Sequence, residues 1–105
     1  MTTEEALISV WRQTLVEGKN EVTLGRDVFP VIFLRTKKLR MVEFTVGEFS
    51  IASIEQNPKT SSRWAELARQ GKRIMQFRCQ NRYIANVCEG KLLRYPAWRG
   101  LELPE

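Results

Sequence analysis

EVTLGRDVFPVIFLRTKKLRMVEFTVGEFSIASI, residues 21–54, is the stretch on which the fold class turns. It contains four runs rich in β-branched and aromatic residues, Glu21 to Leu24, Phe29 to Thr36, Leu39 to Val46 and Phe49 to Ile54. Their separators, Gly25-Arg26-Asp27, Lys37-Lys38 and Gly47-Glu48, are short enough for hairpins. The pattern predicts a four-stranded antiparallel meander.

Towards the amino terminus the period changes. Thr2 and Glu5 have the spacing of a capping box, in which each side chain satisfies an orphan backbone N–H at a helix start. Leu7, Val10, Trp11, Thr14 and Leu15 then recur at helical spacing, and Gly18 stands where a left-handed residue would end a helix.

Towards the carboxyl terminus, Glu55-Gln56-Asn57-Pro58 breaks the strand pattern, because the residue before proline is pushed away from helical geometry. A second helix is expected next, capped by Ser61 or Ser62, striped by Trp64, Leu67 and Ala68, and ended at Gly71. Three further strands follow, Arg73 to Cys79, Tyr83 to Cys88 and Lys91 to Tyr95, with Glu89-Gly90 as the last tight turn. The tail from Pro96 reads as irregular. The expected class is therefore α+β with a mainly antiparallel sheet, in the order helix, four-strand meander, helix, three strands. Its 105 residues form a single domain, 1–105, without repeat or linker.

One register follows from side-chain alternation. Pairing Met75 with Val87 and Phe77 with Ala85 gathers Met75, Phe77, Tyr83, Ala85 and Val87 on one apolar face. The same register puts Gln76 opposite Asn86 and Arg78 opposite Ile84 on a mixed face.

Composition narrows the chemistry. An apolar fraction of 43% with 28% charged residues is that of a globular chain and not of a disordered one. No histidine is present, which removes the commonest general base, the commonest zinc ligand and every nucleophile–histidine relay. Asp27 is the single aspartate and sits in an expected turn, where it caps local backbone. The six glycines are isolated turn or cap residues and form no phosphate-cradling loop. Neither a cofactor nor a metal is expected. Glu43, Glu48 and Glu55 are the candidates for an acid–base pocket, against the simpler reading of solvated strand residues. Cys79 and Cys88 point to opposite faces of their hairpin, so they cannot be joined, and free thiols suit a reducing compartment such as the cytoplasm. Cys79 lies between Arg78 and Arg82, the setting of a reactive thiol, against the reading of a small apolar side chain.

The amino terminus lacks the basic region and apolar stretch of a secretory signal, so no export is expected. The run Val28 to Leu34 contains Pro30 and is far shorter than the ~20 residues of a membrane helix, so no membrane association is expected.

Charge is uneven along the chain. The first 60 residues carry eight basic and eight acidic side chains; the last 45 carry nine and four, and so hold the whole net charge of +5. An anionic partner would meet the second half. The window Arg63 to Arg82 interleaves six basic residues with Trp64, Phe77 and Tyr83, the composition that single-stranded nucleic acid recognition uses. A second basic cluster, Arg35 to Arg40, falls at a hairpin tip, where charge commonly prevents edge-to-edge aggregation.

These residues support binding over catalysis. Three readings follow: a self-associating or protein-binding module, a single-stranded nucleic-acid binder using the basic second half, and a small-molecule or enzymatic pocket using Glu or Cys. For a polar or anionic ligand the candidate surface is Arg73, Gln76, Arg78, Arg82 and Asn86. For a protein partner or homodimer the candidates are Trp98 and Tyr95, since a tryptophan in an irregular tail must pack on its own domain or into a partner.

Overall fold

The computed structural model describes residues 1–37, 39–56, 66 and 69–105, the side chains of Glu55 and Gln56 excepted. Helix α1 (Thr3–Arg12) is followed by seven strands, β1 (Gly18–Leu24), β2 (Asp27–Arg35), β3 (Leu39–Val46), β4 (Phe49–Gln56), β5 (Ile74–Cys79), β6 (Arg82–Cys88) and β7 (Lys91–Arg94), and by a 3₁₀ turn, η1 (Pro96–Gly100). All seven strands form one antiparallel sheet in sequence order. The meander expected over 21–54 is present, and β4 pairs directly with β5 to join it to the later strands.

The expected second helix, from Ser61 or Ser62 to Gly71, falls mostly outside the described residues. Within them, Glu66 and Arg69 are helical, and the Gln70 N–H donates to the Glu66 carbonyl at 3.1 Å. Gly71 has φ +80°, the left-handed conformation that suits a helix end. Among the described residues there is one complete α-helix, and the fold is mostly sheet.

Helix α1 starts as its sequence indicates, with the Thr2 hydroxyl accepting from the Glu5 N–H at 3.1 Å. It stops at Arg12, earlier than the apolar spacing through Leu15 suggests. The cause is Asn20, whose amide donates to the Val16 and Gly18 carbonyls and whose Oδ1 accepts from the Val16 N–H, holding residues 16–20 as a loop. Gly18, at φ +96°, opens β1 and does not end the helix.

Helix α1 packs on β1 and also on β5, β6 and β7, so the sheet curls around it. Ala6, Leu7 and Val10 of the helix meet Val22, Val31, Phe44, Ile51, Phe77 and Val87 from the sheet, all at or near full burial. Pro30, which has no N–H, lies outside the β2–β3 ladder, which runs only from Ile32 to Arg35. The carboxyl-terminal tail closes one end: Trp98 and Leu103 are buried, and the Thr3 N–H donates to the Pro104 carbonyl at 2.8 Å.

The β5–β6 hairpin corrects one expectation. Met75 does pair with Val87, Phe77 with Ala85 and Gln76 with Asn86, but Arg78 faces Tyr83, and Ile84 is the extra residue of a bulge. The turn explains it. Gln80 and Asn81 both have positive φ, a two-residue turn of the type that matches strand twist, and it fixes Cys79 opposite Arg82. One residue must then be unpaired before Ala85, so Tyr83 swings off the core face to join Arg78.

Candidate outer-face docking site

Directly opposed residues of antiparallel strands share a face. Following the register across the sheet gives two adjacent rows. Phe33, Val42, Ser53, Phe77 and Ala85 face inward and are buried. The next row, Lys19, Ile32, Glu43, Ala52, Arg78 and Tyr83, runs unbroken across β1 to β6 on the outer face. Leu34, Met41 and Ile54 form a third row beside it on the same outer side.

The outer face leaves large apolar side chains in the open: Val28, Ile32, Leu34, Tyr83 and Leu93 are 41–57% exposed. Strand β2 is the source of three of them. It is apolar in both phases, Phe29, Val31 and Phe33 inward and Val28, Ile32 and Leu34 outward. A strand apolar on both faces is the pattern of a sheet covered on both sides. The sequence shows the same apolar run, Val28 to Leu34, and its strand reading over Phe29 to Thr36 does not separate the two faces.

On this face Arg78 is held in place but has no ion-pair partner among the described residues. The Arg78 guanidinium lies 5.1 Å from the Tyr83 ring centroid, and its Nε is buried without a hydrogen-bond partner. Tyr83 and Tyr95 are tilted against each other with centroids 6.3 Å apart, and Asn86, 1% exposed, donates its amide to the Tyr95 hydroxyl. Gln76, Arg78, Asn86 and Tyr95 are thus brought together on β5, β6 and the start of η1. A shallow depression of about 550 Å³ adjoins Arg78, bounded by Glu48, Phe49, Ser50, Ala52 and Gln80.

The remaining candidates are placed elsewhere. Arg73 donates to the Gln13 carbonyl at 2.9 Å and lies over the Trp11 ring, while the Trp11 indole N–H donates to the Arg73 carbonyl at 3.0 Å. It fastens β5 to the carbonyl end of α1, where a cation is favoured. Arg82 is exposed at the β5–β6 turn. Trp98 is 3% exposed and packs into its own domain, with Arg94 over its ring at 4.4 Å. The basic window is dispersed: Arg69 pairs with Glu66 and holds that carboxyl below its usual range, and Lys72 pairs with Glu89. Arg63 and Trp64 lie outside the described residues.

Cys79 is 2% exposed on the core face, and burial pushes its thiol up from the ordinary value. That is the small apolar reading, and it removes the basis for a reactive Cys79. Cys79 and Cys88 are unpaired, Cys79 beside the turn opposite Arg82 and Cys88 at the other end of the hairpin opposite Ile74. Glu43 stands on the outer face opposite Ala52, and Glu48 at the β3–β4 turn. Among the described residues no three Cys, Asp or Glu gather closely enough to hold a metal, and no helix is long and apolar enough to cross a membrane.

No protein-family model, no curated protein and no solved structure matches this chain.

Proposed function

We propose that this chain is a non-catalytic interaction module that docks a protein partner on the outer face of its sheet. The reading rests on one observation: Val28, Ile32, Leu34, Tyr83 and Leu93 remain exposed on a sheet whose opposite face already holds a complete core. A face mixing aliphatic side chains, a tyrosine and an arginine has the composition of protein interfaces, where aromatics and Arg are enriched. The basic residues that would serve a nucleic-acid stripe favour it less, because Arg69 and Lys72 are ion-paired and Arg73 is held by the helix. Two free thiols suit a reducing, cytoplasmic setting.

The test is a photo-crosslinking residue installed at position 32, and for comparison at Glu4, which is exposed on α1. In cells that make the protein, adducts from position 32 and none from position 4 are the expected result. Equal adducts from both positions, or none from either, overturn the reading. Salt-sensitive oligonucleotide binding that disappears with Arg78→Ala would transfer the face to nucleic acid.

A further inference from the structure

We infer that the occupant of the outer face is a second copy of this chain, related by a twofold axis that runs along β4; the inference rests on that face being a docking surface. The register carries it. In the outer row, Ala52 on β4 has Glu43 one strand away on β3 and Arg78 one strand away on β5. Two strands away stand Ile32 on β2 and Tyr83 on β6. An axis parallel to β4 and lying between two facing sheets exchanges β3 with β5 and β2 with β6. Glu43 of each copy then faces Arg78 of the other, and Ile32 of each faces Tyr83 of the other. An isologous contact needs a surface complementary to itself, and this row is.

Three further features agree. Neither Glu43 nor Arg78 has an ion-pair partner within the described residues, where the ion pairs are Glu66–Arg69, Lys72–Glu89 and Arg94–Glu105. Arg78 is held by Tyr83 and so reaches an incoming carboxylate with little side-chain entropy left to lose. The residue on the axis is alanine, whose size lets two sheets approach closely. Inclining the axis by about 15° to β4 gives the crossing of about 30° usual for facing twisted sheets, and groups one strand from β4 are little displaced by that rotation. The neighbouring row is less symmetric. Ile54 meets its own copy, but Met41 and Leu34 lie across from Gln76 and Asn86, so the pairing is of moderate strength and reversible by dilution.

Sedimentation of the purified chain across a concentration series tests this. The expected result is a species of twice the 12.3 kDa chain mass that dissociates on dilution. Glu43→Arg and Arg78→Glu should each weaken self-association by about tenfold or more, because each puts two like-charge contacts across the axis. Mixing the two variants in equal amounts should restore the dimer, since both contacts in the mixed pair are again opposite in charge. A chain that stays monomeric up to ~100 μM, or variants that do not rescue one another although both fold, overturns the inference.

Position-32 crosslinks give a second measurement that does not depend on Arg78→Glu folding. An adduct to the β6 peptide around Tyr83 of another copy supports the twofold. An adduct only to a different protein overturns the twofold and leaves the interaction module standing. No adduct at all removes both.

Discussion

Phe77 and Arg78 are neighbours in β5, yet they belong to opposite regimes of the same sheet. Phe77 lies in a row that runs from Phe33 to Ala85 with no member more than 6% exposed, covered by α1. Arg78 lies in the row from Lys19 to Tyr83, which no element among the described residues covers completely, since Ile32 and Tyr83 keep 41% and 49% of their surface. The two rows come from the same strands, so strand propensity cannot tell them apart. What differs is which side α1 took. Helix α1 covers one face of the seven-stranded sheet, and on the other face large apolar side chains stay exposed among the described residues.

Substitution at Phe77 should produce the largest effect. Phe77→Ala removes a fully buried ring that meets Phe44 edge-on, at 6.0 Å between centroids, and leaves a cavity under α1. A loss of about 3–5 kcal/mol in unfolding free energy is expected by urea titration. A loss below about 1 kcal/mol would mean that the inner row is not the packed one, and the contrast between the faces would collapse.

An intermediate effect is expected where the outer face has partly closed over itself. Asn86 points outward yet is 1% exposed, because Tyr95 folds back on it. Tyr95→Phe keeps the ring and removes the acceptor, leaving a buried amide unpaired, which costs about 1–3 kcal/mol. If Tyr95→Phe were neutral, Asn86 would have to be reached by water, and the mixed patch would be a ligand-accessible surface and not a sealed one.

How far these distinctions were legible beforehand differs by residue. The four-strand meander was readable because alternation and short Gly-containing separators speak about local geometry, and β3 runs from Leu39 to Val46 as they indicate. The pairs Met75–Val87, Phe77–Ala85 and Gln76–Asn86 were readable because a slip would have scattered an apolar face. Tyr83 was not, because the two-residue turn at Gln80-Asn81 depends on positive φ in residues that only tolerate it, and the bulge at Ile84 follows from that choice. Arg73 was not readable either: its partners, the Gln13 carbonyl and the Trp11 ring, lie about sixty residues away. Of the candidate site, Gln76, Arg78, Asn86 and Tyr95 were named from sequence and meet in the fold, while Glu43 and Ile32 gain meaning only once seven strands are laid in order.

A smaller effect should appear in pH dependence, and it belongs to the inner row alone. Burial raises the Cys79 thiol above its ordinary value near 9.0, so the unfolded chain loses this proton first as pH rises. The stabilisation is therefore complete below that ordinary value and is lost as pH climbs through the higher value of the folded thiol. Unfolding free energies of the natural chain and of Cys79→Ala, measured from pH 7 to 10, should differ by a constant at the lower end and converge at the upper end. A difference that stays flat to pH 10 would show that the thiol is not desolvated.

The smallest effect on stability is expected at Ile32, and it tests the comparison most sharply. Ile32 is as apolar as the inner residues beside it, and Ile32→Ser removes as much hydrocarbon as a core truncation would. Because the side chain is 41% exposed and packs on no second layer among the described residues, its loss should change the unfolding free energy by no more than about 0.5 kcal/mol at concentrations where the chain is monomeric. At high concentration the same substitution should weaken self-association, since it takes away the side chain that Tyr83 of the second copy meets. A substitution silent in the monomer and costly in the assembly would locate the role of the outer face between molecules. A cost of 2 kcal/mol or more in the monomer, on the order of a core truncation, would mean instead that β2 is covered on both sides by its own chain, and the outer face would then be a second core.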